Sequence, residues 1–236
     1  MRNEELWRPT KFERVAGRWR GSRDTAQLAR GSRVMADLQA AGYAGVLARV
    51  ARGDLLDVGA GSVPLYGVYR DLATSVTCVD WAETSHPSPY LDREVDLREP
   101  LPYEDATFDT IVLTDVLEHM PYPDRLFAEL VRLLRPAGAL VVGVPFSYPL
   151  HEQPYDYHRY TEHRLRLFCE DNGVSCEYLA AYGGPADVLL DQASKVLDNA
   201  GPFRLLAGVP ALLARPRSPV ARPTPLPLGY VMVARA

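Results

Sequence analysis

Three aspartates stand at the ends of three short apolar segments in the first half of the chain: Asp57, Asp80 and Asp96. Parallel strands of an α/β sheet end at one edge, so the three carboxylates are expected to face one crevice. Asp80 comes 23 residues after Asp57, where a carboxylate can accept hydrogen bonds from both hydroxyls of a ribose. Asp96 is placed to accept a bond from an adenine amino group, and Trp81 to lie against the purine face. Each aspartate alone could equally cap a helix, but the three together predict a site for an adenine nucleoside.

A glycine loop follows the first of these aspartates, with Gly59 and Gly61 on either side of Ala60. Glycines at the first turn of an α/β sheet let the backbone approach a ligand closely. The third glycine of the dinucleotide fingerprint would fall at Pro64, which has no N–H to offer a pyrophosphate. A carboxylate at Asp57 would also repel phosphates, and it suits a ligand with a positively charged amino group. The loop therefore predicts a ligand without a diphosphate.

Side chains that can move protons are concentrated in two later segments. Glu118 and His119 follow the predicted fourth strand, and the loop at 148–160 holds four of the 13 tyrosines and two of the five histidines. Loops at the carboxyl ends of strands are where α/β enzymes carry their reacting groups. Within the loop, His151 is followed by Glu152 in a proline-bounded stretch where such a pair has little use in packing. These segments are the predicted place of the chemistry.

Short β-branched runs alternate with amphipathic helical patterns, which predicts parallel βαβ units and an α/β fold. The predicted strands cover residues 54–58, 75–80, 94–96, 109–114, 139–144, 174–181 and 228–234. The predicted helices cover 22–52 with a break near Gly42, 124–138, 161–172 and 186–199. The alternation continues over most of the chain, so it predicts one extended sheet.

Two segments fall outside this alternation. Residues 1–45 are predicted to form a helical cap over the carboxyl edge of the sheet. Residues 202–227 hold seven of the 20 prolines, which predicts a long surface excursion before the last strand and no packed element. The length of 236 residues allows one large domain, so a single domain over 1–236 is expected.

The composition is that of an ordinary globular protein, with 47% apolar and 24% charged residues. No uncharged stretch reaches the ~20 residues that a membrane-spanning helix needs, and the first residues resemble no targeting peptide. No membrane span and a cytoplasmic location are therefore expected. Cys78, Cys169 and Cys176 lack the spacing of zinc ligands, so they are predicted to be core thiols and no metal centre is predicted.

The two ends of the chain are basic. Residues 1–33 hold nine Arg and Lys against four acidic residues, and residues 199–236 hold five against none. Neither end has the density or the interleaved aromatics of a nucleic-acid surface, so no nucleic acid is expected as a partner. The partner expected is a small-molecule acceptor, with an anionic one as an open alternative, and the sequence indicates no oligomeric state. The basic residues that could contact an anion are Arg18, Arg23, Arg33 and the arginines from Arg204 onward.

Four segments carry a resemblance to a known family. LLDVGAGSVPLY, TCVDWAE, EVDLREPLPYEDATFDTIVLTDVLEHM and LRPAGALVVGVPF, from about Asp54 to Val144, resemble the motif series of class I S-adenosylmethionine-dependent methyltransferases. The later segment HEQPYDYHRYTEHRL is similar to a bacterial subgroup concerned with sugars, envelope glycans or natural products. The chain departs from the family at Val63, where a third glycine is more usual.

The resemblance implies a Rossmann-like, seven-stranded, mostly parallel sheet with helices on both faces and an antiparallel last strand. It also implies S-adenosyl-L-methionine as the cofactor, with Asp57 and the glycine loop around the methionine part. Thr114 and Asp115 would line the methionine side. The full set of residues predicted to bind the cofactor is Asp57, Gly59, Ala60, Gly61, Asp80, Trp81, Asp96, Leu97, Thr114 and Asp115.

Methyl transfer from an activated sulfonium needs alignment above all, and a base only if the acceptor must lose a proton. For a hydroxyl acceptor, the predicted base is a histidine, with His151 ahead of His119 and Glu118 beside them, because imidazole titrates near neutral pH. His119 could instead bond a backbone carbonyl, and His158 could serve to tie its loop to the next helix. The residues predicted to contact a sugar- or nucleoside-type acceptor are Tyr148, Glu152, Tyr155, Tyr157 and His158.

Two other classes of protein are weighed against this prediction. An NAD-dependent reductase or epimerase would share the sheet and Asp80, but it should show a third glycine and a Tyr-x-x-x-Lys pair, and the only lysines are Lys11 and Lys195. A non-catalytic relative that binds the cofactor or a partner stays open. Hydrolase and P-loop motifs are missing from the sequence.

Overall fold

A seven-stranded sheet forms the centre of the computed structural model, which describes residues 1–82, 88–214 and 224–236. In chain order, the strands are β1 (Phe12–Val15), β2 (Arg18–Gly21), β3 (Asp54–Val58), β4 (Ser75–Asp80), β5 (Arg93–Glu94), β6 (Phe108–Thr114), β7 (Leu134–Pro145), β8 (Ser175–Tyr182) and β9 (Gly229–Arg235). Across the large sheet the order is β5-β4-β3-β6-β7-β9-β8. The first five strands in this order (β5, β4, β3, β6 and β7) are parallel to one another, and β9 is antiparallel to both its neighbours. The Rossmann-like sheet with an antiparallel last strand is thereby confirmed.

Helices cover both faces of the sheet, as expected. They are α1 (Arg33–Val50), α2 (Tyr66–Tyr69), α3 (Pro123–Leu133), α4 (Glu162–Asp171), α5 (Pro185–Asp198) and α6 (Val209–Leu213). Side chains of α1, α2, α5 and α6 join the apolar core on one face, and those of α3 and α4 join the core on the other. None of the helices in the described ranges is long and apolar enough to cross a membrane.

Strand β6 lies between β3 and β7, and its unbroken apolar run is buried because helices cover both faces of a parallel sheet. The expected apolar stripe of α3 is also buried, including Phe127 and Leu130. The helix ends at Leu133, five residues before the expected end at Gly138. The reason is that Leu134 already pairs with Phe108, so β7 begins where the sequence predicted a last helical turn.

The prediction of a helical cap over residues 1–45 is wrong for its first two thirds. β1 and β2 form a hairpin whose turn holds Gly17 at φ 79°, a left-handed conformation that glycine adopts without strain. Helix α1 begins only at Arg33, and it continues through Gly42 without a break. Thirteen of its 18 residues are buried, and this packing outweighs the roughly 1 kcal/mol that a glycine costs inside a helix.

The prediction of an unpacked excursion over 202–227 is wrong for its first half. Residues Gly201–Gly208 form a 3-10 helix that leads into α6, and Ala207 and Ala211 are buried beside α5. The prolines are compatible with this because two of them stand in the first turns of these helices, where no backbone N–H is needed. Residues 215–223 lie outside the described residues.

Candidate functional site

Two adjoining pockets lie at the carboxyl edge of the parallel strands, with volumes of about 380 and 360 Å³. The first, called here the Asp80 pocket, is bordered by the ends of β4 and β5 and by the loop after β7. The second, called the Asp57 pocket, is bordered by the end of β3, by α1 and by the same loop. The residues that border both pockets are Gly59, Gly61, Asp115, His119 and Glu152.

The glycine loop separates the floors of the two pockets. Gly59 has φ 68°, and a Cβ placed on it would lie 2.3 Å from Cγ2 of Val116, so only glycine fits there. The backbone N–H groups of Gly59 and Ala60 donate to the carbonyl of Val79 at 2.9 and 3.0 Å. Val63, which replaces the usual third glycine, keeps a left-handed backbone at φ 52°. The loop is thus held in a shape that leaves its surface bare for a ligand.

Asp80 and Asp96 both border the Asp80 pocket, together with Trp81 and Leu97. The Asp80 carboxylate accepts bonds from the backbone N–H groups of Gly61 and Trp81, both at 2.7 Å. It therefore connects the end of β4 to the glycine loop. A carboxylate oxygen can accept more than one hydrogen bond.

Asp96 is held differently, by the side chain of Arg98. The guanidinium donates to both carboxylate oxygens at 2.6 to 3.1 Å, and these bonds hold the pKa of Asp96 below its usual range. Arg98 also lies over the Trp81 ring, 5.4 Å from its centre. The sequence had not singled out this arginine, which stands only two residues beyond Asp96.

Asp57 is buried beneath the glycine loop, and it borders the second pocket. Burial raises its pKa to about 7, and a hydrogen bond from the Tyr69 hydroxyl opposes that rise. The carboxyl group therefore carries only a partial charge near neutral pH, less than the full negative charge that the sequence led us to expect. Thr114, at the end of β6, borders the same pocket.

Asp115 connects the N-terminal part of the chain to the end of β6 through hydrogen bonds. Its carboxylate accepts bonds from Lys11 Nζ at 3.1 Å, Gln39 Nε2 at 2.8 Å and the Tyr43 hydroxyl at 3.1 Å. These three donors could not be predicted from the sequence, because they lie more than 70 residues away from Asp115 along the chain. A lysine is rare in this chain, and that rarity was the one signal that could have drawn attention to Lys11.

Glu118, His119 and His151 are brought together at one wall of the Asp57 pocket. Glu118 Oε1 lies 3.8 Å from Nε2 of His119 and 3.9 Å from Nε2 of His151. Burial raises the pKa of Glu118 well above its usual range, and burial also lowers the pKa of His151. Neither carboxylate oxygen of Glu118 has a hydrogen-bond partner among the described residues.

The other ring nitrogens of the two histidines face protein oxygens. Nδ1 of His119 is 2.9 Å from the carbonyl of Tyr155, which is the contact weighed for it from the sequence. Nδ1 of His151 is 3.2 Å from Oδ2 of Asp156, within reach although not aligned as a hydrogen bond. Two bonds from Arg159 hold Asp156 in place. Asp156 could not be predicted from the sequence, because no local pattern indicates that an acidic side chain in a loop is buried.

The loop after β7 supplies most of the residues expected to contact an acceptor. Tyr148 borders the Asp57 pocket, and its ring stands edge-on to His151 with centres 5.0 Å apart. Tyr155 and Tyr157 border the Asp80 pocket, where Tyr155 stands edge-on to Trp81. Glu152 borders both pockets.

His158 is not brought to either pocket. Its ring packs near that of Tyr160, and its backbone N–H donates to the carbonyl of Glu118 at 3.2 Å. This position fits the alternative role, a tie within the loop, and the contact of His158 with an acceptor stays a prediction. The described arginines expected to meet an anion also border neither pocket: Arg18, Arg23, Arg33 and Arg204. Arg23, for example, is paired with Asp37 at 2.8 Å.

Comparison with known proteins finds a family model that matches part of the chain and solved structures that share its fold. Residues 56–142 match the family model described as "Methyltransferase domain". No curated protein sequence matches the chain.

Three solved structures illustrate the likeness of the fold. A methyltransferase dependent on S-adenosylmethionine from Archaeoglobus fulgidus is 14% identical, with 82% of this chain and 93% of that one covered and a TM-score of 0.53. A protein from Galdieria sulphuraria described as "a putative sarcosine dimethylglycine methyltransferase" is 18% identical, with coverage of 82% and 81% and a TM-score of 0.53. The [4+2]-cyclase SpnF is 21% identical, with coverage of 84% and 81% and a TM-score of 0.54.

Proposed function

We propose that this protein transfers the methyl group of S-adenosylmethionine to an oxygen of a small polar acceptor, because residues 56–142 match the methyltransferase-domain model and the sheet has the fold of class I methyltransferases. The observation that carries the proposal is that the two pockets share Gly59, Gly61 and Asp115 in their linings. A ligand lying across this junction has one end at Asp80 and the other at the histidines. A cytoplasmic location belongs to the same proposal.

The residues of the Asp80 pocket fit the adenosine part of the cofactor. Asp80 would take the ribose hydroxyls, since it lies at the strand end with oxygens that can accept further bonds. Trp81 offers a flat face beside Asp96 and Leu97, which suits an adenine ring. The glycine loop would lie against the cofactor, because Gly59 and Gly61 border both pockets and carry no side chains.

The methionine part would then extend into the Asp57 pocket. Its ammonium group would favour the ionised form of Asp57, whose pKa of about 7 lets the charge adapt to the ligand. Thr114 and Asp115 border that pocket on the side of β6. The sulfonium would stand at the junction of the two pockets, with the histidine wall ahead of it.

The acceptor would occupy the remainder of the Asp57 pocket. Its walls combine aromatic and hydrogen-bonding side chains, namely Tyr148, Glu118 and His151, and such walls suit a sugar or nucleoside ring. A hydroxyl of that ring would lose its proton to His151 or His119 as the methyl group arrives. The likeness of the 151–165 segment to enzymes of sugars, envelope glycans and natural products supports a metabolite of those pathways.

Calorimetry with two ligands tests the cofactor. S-adenosylhomocysteine, the product of the cofactor, should bind the full chain, whereas NADH should not. Binding of NADH without binding of S-adenosylhomocysteine would overturn the proposal. Incubation with methyl-labelled S-adenosylmethionine and panels of sugars, nucleosides and their phosphates then tests the acceptor, with proteins and nucleic acids as the contrasting panel. Label confined to the contrasting panel would refute the small-molecule assignment.

A second function has one observation in its favour, because a protein described as a [4+2]-cyclase shares the fold. On that alternative, the chain binds the cofactor or a partner and transfers no methyl group. Binding of S-adenosylhomocysteine without label transfer to any panel would select it.

A further inference from the structure

Glu118 is a buried carboxyl group that the rest of the described protein leaves unsatisfied. Its side chain is 0% exposed, and neither oxygen has a hydrogen-bond partner among the described residues. An ionised carboxylate taken out of water without a partner costs several kcal/mol, so a native structure supplies a proton or a cation at such a place. The side chains around Glu118 decide between a proton and a cation.

Two imidazole nitrogens point at the same oxygen. Nε2 of His119 and Nε2 of His151 lie 3.8 and 3.9 Å from Glu118 Oε1, too far for hydrogen bonds. One ligand atom from each of the three residues falls within 4.8 Å of the others. Three such atoms around a tetrahedral ion would stand about 3.4 Å apart, given bonds of about 2.0–2.2 Å. Side-chain adjustments of roughly 1 Å would therefore close the cluster on an ion.

The outer contacts of the two histidines resemble the arrangement found behind metal ligands, with a hydrogen bond at His119 and a close contact that is not aligned as a hydrogen bond at His151. A ligating histidine offers one ring nitrogen to the ion and directs the other towards a carbonyl or carboxylate. His119 directs Nδ1 to the carbonyl of Tyr155 at 2.9 Å, and His151 directs Nδ1 to Asp156, at 3.2 Å. Both contacts leave Nε2 available on the side of Glu118. Hydrogen bonds to the backbone carbonyl of Glu118 tie the two loops together at this point.

We propose that Glu118, His119 and His151 bind a divalent transition-metal ion at the wall of the Asp57 pocket. Two imidazoles and one carboxylate form a donor set that such ions accept, and three protein ligands leave at least one coordination position for another molecule. All three residues border the pocket, so that position faces the space assigned to the acceptor. The sequence predicted no metal centre because His151 follows His119 by 32 residues, with no ligand spacing to read.

The consequence for the reaction rests on the proposed function. The ion would bind the acceptor hydroxyl and lower its pKa, as a bound divalent ion does for water. The hydroxyl proton leaves to solvent, the new C–O bond forms as the C–S bond breaks, and the electron pair of that bond stays on sulfur to give S-adenosylhomocysteine. On this inference the ion takes over the role that the proposed function gives to His151 or His119, because an imidazole nitrogen bound to the ion cannot accept the proton.

Metal binding is measured directly on the full chain, freed of any affinity tag and stripped with a chelator. Titration with Co²⁺ and, separately, with Zn²⁺ should show one equivalent bound. Glu118→Gln keeps the size of the side chain, and it should weaken binding by about 100-fold or more, as should His151→Ala. Asp156→Asn, which changes the group facing Nδ1 of His151 and also removes the charge paired with Arg159, should weaken it by roughly 10- to 100-fold.

His163→Ala is the matched control, because His163 is exposed on α4 and outside the pockets, and it should bind as the unaltered protein does. Circular dichroism identifies any variant that has not folded, and a folded Glu118→Gln protein keeps the test valid if His151→Ala is lost. Absence of binding to the unaltered chain, or equal affinity in Glu118→Gln, would overturn the metal site.

The same proteins separate this inference from the proposed function. The metal-stripped chain and Glu118→Gln should both bind S-adenosylhomocysteine, because the adenosine contacts are elsewhere. Metal binding without S-adenosylhomocysteine binding would refute the proposed function and support the metal site. S-adenosylhomocysteine binding without metal binding would refute the metal site alone. If methyl transfer is lost when the metal is stripped and returns when the ion is added back, the metal site takes part in the proposed reaction.

Discussion

The Tyr69 hydroxyl donates a hydrogen bond of 2.5 Å to Oδ2 of Asp57, directly beneath the glycine loop. Both groups are buried, and burial is the main cause that raises the pKa of Asp57 to about 7. The pair thus places a titrating acid at the floor of the proposed methionine site. Because Asp57 titrates near neutral pH, the free energy of unfolding should depend on pH through its protonation state.

Asp57→Asn should remove this coupling, because an amide keeps the size of the carboxyl group and does not titrate. Folded Asp57 holds its proton up to a pH of about 7, whereas the unfolded chain releases it near 3.8. The stability that this proton contributes is complete below pH about 4 and is lost as the pH rises through 7. The unfolding free energy of the unaltered protein, relative to Asp57→Asn, should fall by up to about 1.4 kcal/mol per pH unit in this window.

Urea unfolding at pH 5, 6, 7 and 8 measures the difference between the two proteins. Asp71→Asn is the control, since Asp71 is a largely exposed aspartate, and its profile should follow that of the unaltered chain. Parallel profiles for Asp57→Asn and the unaltered chain would show that Asp57 is ionised throughout.

Asp80→Ala should weaken S-adenosylhomocysteine binding by about 10- to 150-fold, because it removes charge-assisted bonds of roughly 1.5–3 kcal/mol. Asp80→Asn preserves the shape and one accepting oxygen, so its loss should be smaller. Asp71→Ala serves as the matched aspartate far from the pockets. Calorimetric affinities for the three variants check this, and an unchanged affinity in Asp80→Ala would refute the ribose assignment.

Gly59→Ala should lower both stability and cofactor affinity, since its new Cβ would meet Val116 in addition to the strain of φ 68°. Gly173→Ala is the matched control, with φ 65° and open space around the added methyl group. Backbone strain alone should cost each variant about 1–2 kcal/mol. Thermal unfolding should show a larger loss for Gly59→Ala, partly recovered by adding Val116→Ala. Equal losses of stability in Gly59→Ala and Gly173→Ala would show that the glycine loop can shift to accommodate the added methyl group, against the expected clash with Val116.

His151→Ala and His119→Ala should each reduce single-turnover methyl transfer by about 10²- to 10⁴-fold, with any hydroxyl acceptor that the unaltered protein methylates. S-adenosylhomocysteine affinity should change little, because the loss concerns the acceptor end of the site. His158→Ala, in the same loop but outside both pockets, should stay within a few-fold of the parent. Rates that are nearly unchanged in all three variants would leave alignment as the whole of the catalysis.

Most local elements could be predicted well, including the last strand, but the N-terminal hairpin and the helical segment from Gly201 to Leu213 could not. Helix α4 begins after Thr161, whose hydroxyl accepts the Arg164 backbone N–H, as the capping residue predicted. The N-terminal hairpin escaped prediction because Phe12–Val15 and Arg18–Gly21 are short, and their burial depends on α1 packing behind them. Short strands have little periodicity to read, so tertiary contacts decide whether they form.

The sequence by itself determined the parallel sheet, the glycine loop and the three acids at its edge, because each depends on neighbours in the chain or on the common direction of the strands. Only the tertiary structure decided that Lys11 and Gln39 meet Asp115, and that Glu118 lies unpartnered between two histidines. Contacts across 30 to 100 residues depend on how loops return to the sheet edge, and burial, which sets the pKa of Asp57 and Glu118, is a property of the folded whole.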